Sequence, residues 1–300
     1  MKIYQGVIVP MVTPINEDYS IDGGAVKKII DSFINAHCAP FVLGTTGEST
    51  SFSNEQKLIL VKETVKATAG REKVFAGVSG TSLIESVEAA KMYFDLGVDF
   101  MVTTLPYYFP ISPDEMLRFF TELADRANCP IIIYNMPAMV GERIPLDVAD
   151  QLSQHPNIVG VKDSERDQER IDQQISMWKD REDFSFYLGW AAKSADAMLK
   201  GADGIVPSTA NFVPQLFRDL FDAAKRNDAK EAFRLQNVTD ELALVYQKDR
   251  KLNTSLPALK VLMSAFDLCQ PHAMPPMYNI VQDEQVKLKA QIRLAIEKLL

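Results

Sequence analysis

Eight short apolar runs alternate along most of the chain with longer stretches in which apolar residues recur every three or four positions. The short runs have the length of buried strands, and the longer stretches have the period of amphipathic helices. Ser53 and Ser112 stand where two of these helices are predicted to begin, as N-cap residues. The pattern predicts a series of βα units, with strands at residues 6–14, 40–46, 74–79, 100–106, 131–135, 158–163, 184–189 and 204–208.

Most of the predicted strands are apolar at consecutive positions, which is typical of a parallel sheet that is covered on both faces. Neither a G-x-G-x-x-G turn after the first strand nor a G-x-x-x-x-G-K-[ST] loop is present, so nothing favours an open nucleotide-binding sheet. Eight units instead favour closure into a ring. The predicted fold class is α/β, a (β/α)8 TIM barrel that forms the catalytic domain over residues 1–225.

Residues 226–300 lack a strand pattern and carry three apolar stripes of helical period. A single α/β barrel takes about 200–250 residues, so this segment is additional to it. No Gly/Ser-rich linker separates the two parts, and we therefore expect a C-terminal three-helix appendage packed on the barrel. The stripes are Ala232, Leu235, Val238, Leu242 and Val245; Leu256, Leu259, Leu262 and Phe266; and Leu288, Ile292, Ala295 and Leu299.

The chain has 32 Lys and Arg against 40 Asp and Glu, which gives a formal net charge of -8. This balance argues against electrostatic binding to nucleic acid or to an anionic membrane. No apolar run reaches the length of about 18 residues that a transmembrane helix needs.

The three cysteines are far apart and do not suggest a disulfide framework, so we expect a cytoplasmic protein. The three histidines lack metal-ligand spacing, and we expect neither a metal nor another cofactor.

In a TIM barrel the active site forms at the carboxyl ends of the strands, so polar residues that end an apolar run are the candidates for chemistry. Lys162 directly follows the apolar residues 158–161 of the sixth predicted strand. Burial there would lower the pKa of its ammonium group, and a neutral amine can attack a carbonyl to form a Schiff base. The alternative is a lysine whose side chain leaves the strand and reaches solvent.

Two other strand ends carry groups that suit this chemistry. Tyr134 ends the fifth strand and is either a proton relay or an ordinary core-edge tyrosine. Thr45 and Thr46 stand in a Gly-Thr-Thr-Gly turn after the second strand, which is either a cradle for a carboxylate or a simple connection. Glu48, after this turn, is either a base or a charge that compensates a helix dipole.

Four motifs occur in order at these strand ends: GTTGES, PYY, YNMP and GVKDS. In order and spacing they resemble the dihydrodipicolinate synthase and N-acetylneuraminate lyase family of class I, Schiff-base aldolases, and the resemblance extends over nearly the whole chain. It implies that Lys162 forms the imine with a 2-oxo acid such as pyruvate, and that Tyr134 shuttles protons. It also implies that Thr45 and Thr46 hold the pyruvyl carboxylate and relay protons.

The resemblance assigns roles to four more residues. Tyr108 matches the second tyrosine of the proton relay, and Tyr107 matches a position at the contact with a neighbouring subunit. Gly189 and Val206 match positions that line the pyruvyl pocket. Since members of this family are commonly tetramers, the expected assembly is a homotetramer, a dimer of dimers, with a small 2-oxo acid as its substrate partner.

Two positions depart from the known branches of the family. Dihydrodipicolinate synthases have an arginine where this chain has Met139, and a thioether cannot hold a second carboxylate as a guanidinium does. Arg143, four residues later, is a weak candidate to compensate. Sialic acid lyases have an acidic pair where this chain has Ala191 and Ala192, and two methyl groups would leave sugar hydroxyls unpaired. Met139 is therefore placed in the binding site for the rest of the substrate.

These observations favour a Schiff-base lyase or aldolase that acts on pyruvate or a 2-oxo acid, of the 2-keto-3-deoxy sugar acid or 4-hydroxy-2-oxo acid class. Four alternatives stay open: dihydrodipicolinate synthase proper, N-acetylneuraminate lyase proper, a dehydratase of deoxy-keto sugar acids, and a barrel that binds 2-oxo acids without catalysis. The last is disfavoured by the retention of Lys162, Tyr134, Tyr108 and both threonines.

Overall fold

The computed structural model describes residues 2–299, and its centre is a closed barrel of parallel strands that are paired in sequence order. The strands are β1 (Gly6–Pro10), β2 (Ala39–Val42), β3 (Phe75–Gly77), β4 (Phe100–Thr104), β5 (Ile131–Asn135), β6 (Ile158–Asp163), β7 (Ser185–Leu188) and β8 (Gly204–Ile205). β8 pairs with β1 and closes the ring. The predicted TIM barrel is confirmed.

Several predicted strands extend past the observed ends. β1 stops at Pro10, although the predicted run continues to residue 14. Met11 and Val12 are almost fully buried beneath the loops at the carboxyl end of the barrel. An apolar run in the sequence indicates burial but does not mark where a strand ends. Met11 and Val12 are buried although β1 ends before them.

Helices follow the strands around the outside of the barrel: α1 (Gly23–Asn35), α2 (Asn54–Thr68), α3 (Leu83–Asp95), α4 (Pro113–Ala127), α5 (Pro137–Val140), α6 (Leu146–Leu152), α7 (Gln168–Trp178), α8 (Ser194–Lys200) and α9 (Pro214–Lys225). The predicted N-caps Ser53 and Ser112 are confirmed. Each forms a capping box with the third residue of its helix, Gln56 in α2 and Glu115 in α4, and so satisfies amide groups that the first turn leaves free.

The barrel interior holds its own apolar cluster, separate from the layer between strands and helices. Its members are Ile8, Ala39, Phe41, Phe75, Phe100, Val102, Ile132, Tyr134, Val159, Tyr187 and Val206. At the amino ends of the strands, the rings of Phe75 and Phe100 stack with their centroids 4.8 Å apart, and Tyr4 packs against Phe75 at 5.3 Å. These rings fill the amino half of the barrel, and the polar interior residues lie toward the carboxyl half.

A one-residue bulge in β6 determines which way Lys162 faces. Ile131 of β5 pairs with Ile158, whereas the next residue of β5 pairs with Gly160. Val159 is therefore the extra residue. Ile158 faces the outer helices, and strict alternation from it would turn Lys162 outward as well. The bulge reverses the alternation and directs Lys162 into the interior.

Three helices follow the barrel: α10 (Ala229–Gln247), α11 (Leu252–Ser264) and α12 (Gln282–Leu299). α10 packs against α9 and α8, and both α11 and α12 pack against α10. The predicted C-terminal helices are thus present. Of their predicted apolar stripes only Phe266 falls outside a helix, because α11 ends two residues earlier.

Within residues 2–299, no helix is both long enough and apolar enough to cross a membrane. The three cysteines are all buried and free of disulfide bonds. Burial raises the pKa of the Cys38 and Cys269 thiols to about 12 and that of Cys129 to about 11. The thiols are therefore held protonated at neutral pH.

Candidate active site

Lys162 lies in the barrel interior near the carboxyl end of β6, where only 5% of its surface is exposed. Its Nζ is 3.8 Å from the centroid of the Tyr134 ring and 4.8 Å from that of Phe41. Burial lowers the pKa of the ammonium group below its ordinary value of 10.5, and Tyr134 opposes the shift in part. No carboxylate of residues 2–299 takes part in this balance. The surroundings therefore favour the neutral, nucleophilic amine.

Tyr134 pairs directly with Lys162 across the β5 and β6 ladder, which puts both side chains on the interior face. Its phenol oxygen accepts a hydrogen bond from Ser164 Oγ at 3.3 Å. Sequence reasoning did not single out Ser164. Ser164 could have been predicted from its position two residues after Lys162, because alternate residues of a strand face the same side.

The Gly-Thr-Thr-Gly turn begins beside the same pocket. A Cβ atom at Gly44 would lie 2.9 Å from the Phe41 ring, the ring that also contacts Lys162. The N–H groups of Gly47 and Glu48 close the turn on the carbonyls of Gly44 and Thr45, at 3.1 Å each. In the described part of the chain, no backbone carbonyl accepts from the N–H groups of Thr45 or Thr46. Two amide donors are thus available to an anion at this turn.

Gly189 and Val206 lie at the ends of the next two strands. The Gly189 N–H donates to Asp163 O at 2.7 Å, and the Val206 N–H donates to Leu188 O at 2.8 Å. A Cβ atom at Gly189 would lie 2.0 Å from Ser164 Oγ, so only glycine permits this approach. Val206 is a member of the interior cluster that includes Tyr134. Both predicted lining positions therefore lie on the side of the barrel where Tyr134 and Ser164 meet.

Tyr107 and Tyr108 lie apart from this group in the single chain. Tyr108 is 85% exposed, has a φ of 92°, and packs edge-on against the ring of Phe109. Tyr107 is also exposed. One chain by itself therefore does not bring the second predicted relay tyrosine to Lys162.

Met139 lies on the short helix α5, which follows Tyr134 after two residues, and about half of its surface is exposed. Arg143 approaches Glu165, with Nη1 3.5 Å from Oε1. Glu165 also accepts a hydrogen bond from Asn135 Nδ2 at 3.0 Å. Arg143 thus has an acidic partner within its own chain.

Asp163, next to the lysine, points to the outer side of β6 and anchors a buried polar network. Its carboxylate accepts hydrogen bonds from Arg170 Nε at 2.7 Å, Gln174 Nε2 at 3.0 Å and Asn135 Nδ2 at 3.0 and 3.1 Å. These contacts attach α7 and the end of β5 to β6. Sequence reasoning missed this network, because it joins residues that are distant along the chain.

Glu48 directly precedes a short 3-10 helix (Ser49–Ser51), but its side chain forms no cap hydrogen bond to that helix. Its carboxylate forms a buried ion pair with Lys260 of α11 and accepts a hydrogen bond from the Met274 N–H at 2.8 Å. It therefore faces the C-terminal helices. Among residues 2–299, no three His, Cys, Asp or Glu side chains come together as metal ligands.

The family model described as the dihydrodipicolinate synthetase family matches residues 3–295. The chain belongs to this family. Its relatives include an uncharacterized DapA-like lyase of Thermococcus onnurineus, 32% identical over 99% of both chains. A 4-hydroxy-tetrahydrodipicolinate synthase of Neisseria gonorrhoeae is 31% identical and covers 96% of this chain and 98% of its own. The resemblance inferred from the four motifs is confirmed, and the protein is a lyase of the dihydrodipicolinate synthetase family.

Solved structures of family members superpose closely on this barrel. The dihydrodipicolinate synthase of Bacteroides thetaiotaomicron is 30% identical, with a TM-score of 0.93 and 99% coverage of both chains. The chloride-inhibited enzyme of Acinetobacter baumannii, solved in complex with pyruvate, is 26% identical, with a TM-score of 0.87 and 98% coverage of both chains. The family fold therefore extends through the C-terminal helices.

Proposed function

We propose that this protein is a class I lyase or aldolase that forms an imine between Lys162 and pyruvate or a pyruvate-derived 2-oxo acid. The observation that carries the proposal is the buried Lys162 amine, which contacts aromatic rings and has a lowered pKa. A buried lysine without a compensating acid is costly unless it is neutral, and a neutral amine is the form that attacks a carbonyl. The pyruvate complex of the Acinetobacter enzyme supports this substrate.

In the proposed mechanism, the Lys162 amine attacks C2 of the 2-oxo acid, and the carbinolamine loses water to form the imine. The phenol of Tyr134, next to the amine, transfers the protons of these steps. The C4 hydroxyl then gives its proton to the Tyr134 phenolate as the bond between C3 and C4 breaks. The electron pair of that bond moves onto the imine to form an enamine, and C4 leaves as an aldehyde. Protonation of the enamine at C3 and hydrolysis of the imine release pyruvate and restore the lysine.

We assign the carboxylate of the oxo acid to the free N–H groups of Thr45 and Thr46, and the walls of the pyruvyl pocket to Gly189 and Val206. Tyr108 completes the proton relay only in an assembly that covers its exposed side chain. The exposure of Tyr107 and Tyr108 supports a subunit contact there, within the expected homotetramer. The reduced cysteines support a cytoplasmic location.

For the rest of the substrate we propose a 2-keto-3-deoxy sugar acid or a 4-hydroxy-2-oxo acid. Met139 and the alanines 191–192 provide neither a guanidinium for a second carboxylate nor acidic groups for a sugar chain. Arg143 is already paired with Glu165. The second candidate is 4-hydroxy-tetrahydrodipicolinate synthesis, which is favoured by the names of relatives at 31% identity.

Reduction with borohydride in the presence of pyruvate, followed by intact-mass measurement, tests the imine. We expect one pyruvyl adduct per chain, which the Lys162→Ala variant loses. Lys193→Ala is the matched control because Lys193 is only half-buried, with its ammonium group over the Trp190 ring, and it should keep the adduct. An adduct that persists in Lys162→Ala contradicts the mechanism.

A panel of 2-oxo acids, assayed for pyruvate release, tests the substrate class. We expect release from a 2-keto-3-deoxy sugar acid or a 4-hydroxy-2-oxo acid. Loss of water without release of pyruvate would instead identify a dehydratase. Efficient condensation of pyruvate with aspartate semialdehyde would refute the argument from Met139, and release from N-acetylneuraminate alone would refute the argument from the alanines 191–192.

A further inference from the structure

The turn that offers its amides to the substrate is bonded to the C-terminal helices through a pair of buried charges. Glu48 is the first residue after the turn, and 3% of it is exposed. Its carboxylate pairs with the ammonium group of Lys260, which is fully buried in α11. Lys260 Nζ also donates to His272 O at 2.8 Å, and the Met274 N–H donates to Glu48 Oε2 at 2.8 Å. All three contacts come from outside the barrel.

A gain in folding stability is a poor explanation for a buried ion pair. Desolvation of two charges is expensive, and well-packed apolar residues often replace such a pair without loss of stability. The better-attested use of buried polar groups is to fix one arrangement of the chain where other arrangements of similar energy exist. This pair lies directly at the end of a turn with free amide donors, which indicates that it fixes the conformation of that turn.

The backbone of Glu48 transmits its position to the turn. Glu48 has a φ of 55°, in the left-handed region, and its N–H donates to Thr45 O at 3.1 Å. On the other side of the turn, Thr13 Oγ1 donates to Gly47 O at 2.6 Å. The turn is therefore held between the end of β1 and α11, and a displacement of Glu48 would rotate the peptide groups that carry the free N–H donors.

We propose that Lys260 is a positioning residue for the substrate carboxylate: through its buried ion pair with Glu48, it orients the N–H groups of Thr45 and Thr46. This inference rests on the proposed function, because it assumes that these donors hold the carboxylate. It assigns a role in substrate binding to a helix outside the barrel. Donors fixed in advance bind an anion more tightly, since binding then requires no ordering of the turn.

Other contacts support the same role for the C-terminal helices. Tyr246 of α10 shares hydrogen bonds with Ser208 at 2.9 Å and Thr209 at 3.1 Å, in the loop after β8. Gln236 of α10 donates to the carbonyl of Ala191, after β7, at 3.0 Å. The helices therefore form polar contacts at three loops on the carboxyl face of the barrel.

The test uses the full-length double variant Glu48→Gln/Lys260→Met, which removes both charges and keeps an acceptor for the Met274 N–H. The matched control is Lys2→Met/Asp203→Asn. In that pair Asp203 is buried and Lys2 is half-buried, with an N–O distance of 3.0 Å, and the pair joins the amino ends of the strands. The measurement is the rate of adduct trapping by borohydride as a function of pyruvate concentration. We expect half-saturation to rise about 10-fold in the first variant, a change of about 1.4 kcal/mol, with the saturated rate within about 2-fold of wild type. The control should keep the wild-type half-saturation.

Unchanged half-saturation in the Glu48/Lys260 variant, or an equal rise in the control, would overturn the proposal. If the double variant does not fold, as judged by near-UV circular dichroism, the single variant Glu48→Asp, which keeps both charges but shortens the side chain by one methylene group, carries the same expectation. Amide hydrogen exchange of residues 44–48 without ligand is the second readout, and it should be faster in the variant than in the control. If wild type forms no adduct, the proposed function fails, and unchanged exchange of the turn would overturn the positioning role separately.

Discussion

Lys162 and Lys260 are buried and Lys2 is half-buried, but the three ammonium groups differ in what they contact. Lys2 is paired with Asp203 at 3.0 Å, and Lys260 is paired with Glu48. Lys162 contacts two aromatic rings. The segment around Lys260, ALKVLM, is more apolar than GVKD, so a hydropathy pattern alone does not single out Lys162. The ordered motifs single out Lys162, and the other two lysines each have a carboxylate partner.

The lowered pKa of Lys162 leads to a prediction about pH. Attack on pyruvate requires the neutral amine, so the rate of imine trapping at low pyruvate concentration should rise with pH and then level off. Because burial lowers the pKa in the folded protein, the inflection should lie below the ordinary lysine value of 10.5. Rapid-quench trapping across the pH range measures it, with Lys162→Ala as the blank. An inflection at or above 10.5 contradicts the prediction.

Ser164→Ala removes the hydroxyl that bonds to the phenol oxygen of Tyr134. A hydrogen bond of this kind contributes about 0.5–1.5 kcal/mol, so we expect the rate at saturating substrate to fall roughly 2- to 13-fold. Half-saturation by pyruvate should change little, because Thr45 and Thr46 are untouched. Ser153→Ala is the control, since Ser153 is a buried serine that lies before β6. A rise in half-saturation with an unchanged rate would place Ser164 in binding instead.

At the scale of elements, the strand count, the strand order and the three C-terminal helices were predictable, because each depends on local periodicity. The bulge at Val159 was not predictable, since a single extra residue leaves the apolar run 158–161 unaltered. Without the bulge, Lys162 would face the helices. The expected burial of Lys162 in the barrel is therefore correct, but its cause, the register shift at Val159, is visible only in the structure. The ion pair of Glu48 was likewise not predictable, because its partner Lys260 is more than two hundred residues away along the chain.

The attachment of α7 to β6 should be sensitive to loss of charge. Arg170→Met leaves the Asp163 carboxylate buried beside Asn135 and Gln174 without its ionic partner. We expect the free energy of unfolding in urea to fall by about 3–5 kcal/mol. Lys200→Met removes an exposed ion pair with Asp172 and should cost less than about 1 kcal/mol. Equal losses in the two variants would contradict this account of the network.

At the scale of the whole molecule, the net charge bears on substrate recognition, and an exposed aromatic segment bears on assembly. A formal charge of -8 disfavours approach of the proposed anionic oxo acid, so the proposal requires local donors such as the Thr45 and Thr46 amides. Tyr107, Tyr108 and Phe109 form a consecutive aromatic segment that is exposed in the single chain. Such exposure is unusual for a monomer and favours a covered surface in an assembly.

If Tyr108 acts on a neighbouring subunit, two inactive variants should restore each other. Lys162→Ala retains Tyr108, and Tyr108→Phe retains Lys162. In a mixed two-fold dimer, one site then combines the intact lysine of one chain with the intact tyrosine of the other. Random mixing at equal amounts should restore about a quarter of the sites. Pyruvate release before and after subunit exchange measures the recovery, and light scattering verifies that the variants still assemble. A mixture that is no more active than the Tyr108→Phe chain it contains would mean that Tyr108 does not act across the subunit contact.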